Sequence, residues 1–116
     1  MRFLVVEDDA AVRHVIDRGL TGHGHHVVAA PSVVEAMTLI LDFPDPPDVA
    51  LLDLLLPGMG GLEYAELLVR QFPMVRLVFM TGWYEGPQIA EAEARGALLM
   101  KPFSIQTLLT AVKLEG

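Results

Sequence analysis

The sequence predicts an α/β fold, a doubly wound parallel sheet with helices on both faces. Three observations predict it. Short apolar runs alternate with longer amphipathic ones along the whole chain. The first short run, Phe3-Leu4-Val5-Val6, is apolar at every position, as in a strand covered on both faces. The order reads βαβαβαβαβα, and right-handed crossovers then leave only a few doubly wound topologies.

Each element has its own local reason. Phe3 to Val6 is the first strand. Ala10 to Leu20 carries Val12, Val15, Ile16 and Leu20 at helical spacing, with Arg13, Asp17 and Arg18 opposite. Asp9 is placed to cap this helix and Gly22 to end it. Val27 to Ala30 is the second strand. Ser32-Val33-Val34-Glu35 is a capping box that opens a helix running to about Asp42. Pro44, Pro46 and Pro47 stop it. Val49 to Leu52 is the third strand. Gly60-Gly61 precedes a third helix with Leu62, Ala65, Leu68 and Val69 on its apolar stripe. Val75 to Met80 is the fourth strand. Pro87 sits near the start of a fourth helix that ends at Gly96. Ala97 to Met100 is a short fifth strand. Ser104 caps a last helix carrying Ile105, Leu108, Leu109 and Val112.

Composition narrows the function. The 116 residues fit one domain, 1–114, and Glu115-Gly116 add nothing to the pattern and read as an expression scar. There is no cysteine, so a disulfide framework and a thiolate metal site are excluded, and a reducing cytoplasm is the expected location. A formal net charge of −7 argues against direct nucleic-acid binding by this domain. No apolar run approaches the ~20 residues needed to cross a bilayer, so membrane insertion is not expected. Met1-Arg2-Phe3 leads into a strand-like run with no cleavage-site pattern.

One stretch conflicts with simple burial. Asp53 interrupts Val49-Ala50-Leu51-Leu52 and Leu54-Leu55-Leu56. An ionised carboxylate is costly to bury unless something pairs with it. Similar polar groups close the other strands. Strand one ends in Glu7-Asp8-Asp9, strand four in Thr81-Gly82 and strand five in Lys101-Pro102. In doubly wound sheets ligands bind beyond the carboxyl ends of the strands. If strands one, three, four and five are neighbours, these groups share one rim. Clustered carboxylates raise one another's pKa unless a cation neutralises them. A few oxygen ligands suit magnesium, which keeps several waters and favours phosphate nearby. A carboxylate can also act as a nucleophile and form an aspartyl-phosphate, with Lys101 and the metal stabilising the transferring group.

The chain resembles the receiver domain of two-component response regulators. The motifs are LVVEDD at 4–9, LLDLLLPGMGG at 51–61, VFMTG at 78–82 and MKPF at 100–103. Together they span nearly the whole chain, and each closes a strand. The resemblance implies a flavodoxin-like (βα)5 fold with strand order 2-1-3-4-5. It implies that Asp53 is the phosphoacceptor and that Asp8 ligates Mg2+, with Glu7 contacting the metal through water. Asp53 and the backbone carbonyl of Leu55 complete the protein ligands. Lys101 contacts the phosphoryl group, Thr81 moves inward to meet it, and the Lys101–Pro102 bond is expected to be cis. The donor is a histidine kinase, a phosphotransfer protein or a small acyl phosphate. An output domain or a second copy is expected at helix four, strand five and helix five. Such a protein catalyses its own phosphorylation and dephosphorylation without being a turnover enzyme.

Two departures from the family pattern stand out. The segment Gly96 to Lys101 is two residues shorter than is common. The usual switch aromatic, three residues before the lysine, is Leu98. FMTGWYEG at 79–86 instead resembles a receiver subgroup with a Phe-Ala-Thr-Gly-aromatic motif, so Trp83 or Tyr84 is expected to take over part of the signalling. Leu55 and Trp83, two residues after Asp53 and Thr81, flank the path of the hydrolytic water in the family. Both are apolar, and slow self-dephosphorylation is the expectation.

Two rival functions share parts of this pattern. An aspartyl-phosphate phosphatase commonly has a second aspartate two residues after the nucleophile, and Leu55 stands there. A receiver-like binding module that is never phosphorylated would not need Glu7, Asp8, Asp53, Thr81 and Lys101 together. The histidines of GHGHH at 22–26 read as a loop rather than a metal site. Met59, Met74, Met80 and Met100 read as packing fillers. Gly58-Met59-Gly60-Gly61 lacks the spacing of a dinucleotide fingerprint.

Overall fold

The computed structural model describes residues 1–43, 45–83 and 86–115, with the backbone alone at 114 and 115. The elements are β1 (Arg2–Val6), α1 (Ala10–Gly22), β2 (His26–Ala30), α2 (Val33–Ile40), β3 (Val49–Asp53), α3 (Gly61–Gln71), β4 (Arg76–Thr81), α4 (Pro87–Arg95), β5 (Ala97–Met100) and α5 (Ile105–Glu115). The five strands form one parallel sheet in the order β2-β1-β3-β4-β5. The chain runs outward from β1 to β2, then returns to β3 on the other side of β1. The order therefore reverses between β1 and β3, the place where such sheets open a crevice.

Alternation along the strands divides the core. Phe3, Val5, Val49, Leu51, Val78 and Met80 pack with Ile16 and Leu20 of α1 and with Leu108 and Val112 of α5. Leu4, Val6, Ala50, Leu52, Leu77 and Phe79 face the opposite way, toward α2, α3 and α4. Both faces are covered, so the continuous apolar runs have a physical cause. Each such side chain taken out of water contributes roughly 1.5–3 kcal/mol.

The caps follow the sequence closely. The carboxylate of Asp9 accepts from the amides of Ala11 and Val12 at 2.9 and 3.1 Å. Ser32 Oγ accepts from Glu35 N at 3.3 Å, and Ser104 Oγ accepts from Thr107 N at 3.0 Å. Three details differ from expectation. Helix α2 ends at Ile40, not Asp42, because the backbone turns there through Asp42 N to Leu39 O. Val15 and Val69 are 63 % and 41 % exposed; their helices bury narrower stripes, with Tyr64 filling the α3 seam instead. Met74 lies at a surface turn and is 91 % exposed, so it fills no gap.

The connection between α4 and β5 depends on close backbone approach. A Cβ at Gly96 would stand 2.2 Å from the Leu77 carbonyl oxygen, so no larger residue fits where the chain leaves the helix. Arg95, one residue earlier, pairs with Glu66 of α3 and Glu91 of α4.

Candidate functional site

The sheet ladder continues one residue past several strands. Glu7 N donates to Ala30 O at 3.0 Å, Leu54 N to Met80 O at 3.0 Å and Lys101 N to Thr81 O at 2.8 Å. These bonds hold the end residues in register, so side chains distant in sequence meet at one rim. Glu7 is fully buried, Thr81 is buried, and Asp53 is 4 % exposed. Asp8 is exposed beside them.

Lys101 links two of the carboxylates. Its Nζ donates to Asp53 Oδ2 at 2.5 Å and to Glu7 Oε1. Asp53 Oδ1 accepts from Leu55 N at 2.9 Å. Both oxygens of Asp53 are thereby oriented. That resolves the charge among leucines: the carboxylate is buried but partnered. Glu7 is less well served, because its Oε2 is buried with no hydrogen-bond partner among the described residues.

The electrostatics follow from this packing. Burial, helped by a hydrogen bond to Asp53, pushes the Glu7 carboxyl up to about 7, and Lys101 only partly opposes it. Burial also works against the charge on Lys101, but Asp53 and Glu7 outweigh it and hold the ammonium above the ordinary lysine value. One ammonium facing several carboxylates leaves the rim short of positive charge. One oxygen from each of Glu7, Asp8 and Asp53 lies within 4.8 Å of the others. Three hard oxygen donors, one of them with a buried unpartnered atom beside it, fit an oxygen-preferring divalent cation.

Of the remaining sequence candidates, Thr81 stands at the end of β4 with its Oγ1 accepting from Trp83 N at 3.1 Å. Trp83 is 61 % exposed and lines, with Leu54, Leu55, Gln88 and Ile89, a cavity of about 300 Å³ that reaches Thr81. Leu98 pairs in register with Phe79 and packs half-buried against the α2–α3–α4 side. The Lys101–Pro102 bond is cis. Tyr84 lies outside the described residues. His23 Nδ1 lies 2.9 Å from Gly19 O, and His25 Nδ1 lies 3.0 Å from the Met1 amine.

Sequence reasoning missed two supporting residues. Arg13 reaches back from α1, and its guanidinium donates to Glu7 O at 2.8 Å, fixing the turn that carries Glu7 and Asp8. Its place one turn into a helix that starts after three acidic residues was the available signal. Gly61 opens α3 against the main chain of β3. A Cβ there would stand 2.3 Å from the Asp53 carbonyl oxygen. The double glycine after the turn was the visible trace of that approach.

Comparison with known proteins agrees with this geometry. Residues 3–113 match the response regulator receiver domain family. The chain is 29 % identical over 114 residues to sporulation initiation phosphotransferase F of Bacillus subtilis, covering 97 % of this chain and 90 % of that protein. It is 36 % identical over 113 residues to the two-component response regulator PhoP of Pseudomonas aeruginosa, covering 93 % and 48 %. It is 33 % identical over 112 residues to the sensor kinase CckA of Brucella abortus, covering 95 % of this chain and 12 % of that protein. The chain thus spans half or less of the length of two of these relatives. The Vibrio cholerae chemotaxis protein CheY4 superposes with a TM-score of 0.85 at 25 % identity, covering 99 % and 98 % of the two chains. A Burkholderia pseudomallei response regulator solved with a phosphorylated aspartic acid and a calcium ion superposes at 0.83 with 27 % identity, covering 96 % and 65 %.

Proposed function

We propose a specific role for this chain within the family to which it belongs, the response regulator receiver domains of two-component systems. Asp53 accepts a phosphoryl group from a histidine kinase or phosphotransfer protein, and the phosphorylated domain changes the face it offers to a partner. The observation that carries this reading is the rim itself. A buried carboxylate at the switch point of the sheet has both oxygens oriented and an ammonium at 2.5 Å.

The chemistry follows from those contacts. A carboxylate oxygen of Asp53 attacks phosphorus, and the bond to the donor nitrogen or oxygen breaks. Lys101 remains beside Asp53 and takes a phosphoryl oxygen in place of its bond to Oδ2. The hydroxyl of Thr81 turns from the Trp83 amide to the phosphoryl group. Mg2+, held by Asp8, Asp53 and the Leu55 carbonyl and contacted by Glu7 through water, would neutralise the carboxylates and the charge on the transferring group. The domain catalyses a single transfer to itself and is not a turnover enzyme.

The output follows from the same hydroxyl. When Thr81 leaves the Trp83 amide, the segment after β4 is released, and two states with different phosphate contacts exchange population. Leu98 offers no aromatic ring for this change. Trp83, with Tyr84, takes that part, as in the Phe-Ala-Thr-Gly-aromatic subgroup. The partner surface is α4, β5 and α5, engaged by an output domain or a second copy, and the location is cytoplasmic. No described helix is long and apolar enough to cross a membrane.

Intact-mass measurement after incubation with acetyl phosphate tests this reading. One added phosphoryl group is expected with Mg2+, and none in Asp53→Asn or in chelator. Absence of any modification with metal present, from either acetyl phosphate or a phosphorylated histidine donor, would make the domain a constitutive binding module.

A further inference from the structure

The backbone that carries Asp8 is held on both sides. Before it, Glu7 N donates to Ala30 O at 3.0 Å, and Glu7 O accepts from the Arg13 guanidinium at 2.8 Å. After it, Asp9 O accepts from Arg13 N at 2.9 Å, and the Asp9 carboxylate caps α1. Arg13 thus grips the chain on either side of Asp8, once with its backbone and once with its side chain. The backbone bond is the ordinary first bond of a helix, so the guanidinium bond is the part that depends on this residue. A peptide unit is planar, so a held Glu7 carbonyl also holds the nitrogen and Cα of Asp8. Glu7 and Asp53 are fixed by burial, but Asp8 is exposed. Its carboxylate takes its place from the backbone beneath it.

We propose that Arg13 is a positioning residue for the divalent cation at the rim and that it acts through Asp8. The inference rests on Asp8 and Asp53 holding that cation, as in the function proposed above. Two effects of the guanidinium oppose each other. Its positive charge lies beside a site that collects cations, and repulsion weakens metal binding. Its hydrogen bond keeps the Asp8 carboxylate within 4.8 Å of oxygens on Glu7 and Asp53, and a site assembled in advance binds more tightly. Asp8 faces water, which screens the repulsion. Groups that orient metal ligands carry roughly 10–100-fold in affinity, so the grip outweighs the charge. The two effects also differ in sign. Removing Arg13 tightens cation binding if charge dominates and weakens it if positioning does.

The experiment measures dissociation constants for Mg2+ by titration calorimetry and for Mn2+ by electron paramagnetic resonance, with no phosphodonor present. Wild type is compared with Arg13→Met and Arg13→Lys. Methionine keeps an unbranched stem for packing and drops both the charge and the donors, whereas lysine keeps the charge and a donor. Urea unfolding in chelator first establishes that each variant is folded where it is titrated; if Arg13→Met is not, Arg13→Gln takes its place. Arg13→Met is expected to bind both cations about tenfold more weakly, and Arg13→Lys to stay within about threefold of wild type. A contact that only stabilises the fold would lower the urea midpoint and leave the dissociation constants of folded protein unchanged, which would overturn the proposal. Tighter binding by Arg13→Met would overturn it in favour of the charge. Equal weakening in Arg13→Met and Arg13→Lys would overturn it too, because a retained donor would then restore nothing. Failure of the wild type to bind either cation would remove the cation site and this inference together, and intact mass after treatment with a phosphodonor would judge Asp53 separately.

Discussion

Replacing Glu7 by Gln should make the metal-free protein more stable at neutral and alkaline pH. Glu7 is fully buried with one oxygen unpartnered among the described residues, and burial lifts its carboxyl from 4.5 to about 7. A group whose pKa is higher in the folded state contributes stability fully below its unfolded value and loses it as pH rises through the folded value. The window is therefore from about 4.5 to about 7. Each pKa unit is worth 1.36 kcal/mol, so the shift makes ionised Glu7 destabilising by about 3 kcal/mol at pH 8. The amide keeps the size and removes the charge. In chelator at pH 8 the Gln variant should be more stable by about 3 kcal/mol, or roughly 10 °C in Tm. At pH 5 the difference should fall below about 1 kcal/mol. Adding Mg2+ at pH 8 should raise the wild type far more than the variant, because the cation replaces the missing partner of a charged Glu7. Urea and thermal unfolding measured with and without chelator read all of this. A Gln variant no more stable than the wild type at pH 8, or equally stabilised at pH 5 and pH 8, would refute the reasoning.

Three other outcomes follow from named contacts. Gly61→Ala places a Cβ 2.3 Å from the Asp53 carbonyl oxygen, so the backbone must shift; a loss of about 2 kcal/mol in urea unfolding and slower phosphorylation are expected. Leu55 and Trp83 line with apolar surface the cavity that reaches Thr81, so if Asp53 is the acceptor its phosphate should persist for many minutes in Mg2+, and Leu55→Asn should shorten its life severalfold; a wild-type half-life of seconds, followed by intact mass, would contradict this. Trp83 is the chain's single tryptophan, and its amide is bonded to Thr81 Oγ1. Its fluorescence should change on phosphorylation in the wild type and stay constant in Thr81→Ala.

The fold was legible because burial on both sheet faces forces continuous apolar strands, and α1, α2 and α5 carry explicit side-chain caps. The rim groups were legible for a related reason. A polar residue that closes an apolar run has no apolar packing role at that position, and four such closures, three charged and one a hydroxyl, define a rim in order. What escaped was whatever depends on packing from elsewhere in the chain. The phase of α1 and α3 on the sheet decided that Val15 and Val69 face outward, and spacing alone could not distinguish them from their buried neighbours. The grip of Arg13 on the Glu7 carbonyl depends on the entry angle of α1. The raised pKa of Glu7 comes from full burial, which its place in an acidic triplet conceals. Leu98 is a departure visible in the sequence, but its packing beside Phe79 shows only in the register of β4 with β5.

The account turns on Asp53, and reductive trapping reads that residue directly. The protein is treated with a phosphodonor and Mg2+, reduced with borohydride and cleaved to peptides, so that an aspartyl-phosphate becomes homoserine. Homoserine at position 53, lost in chelator and in Lys101→Met, is the predicted result. Homoserine at another acidic residue, or none after full exposure to both a small donor and a phosphorylated histidine donor, would contradict it.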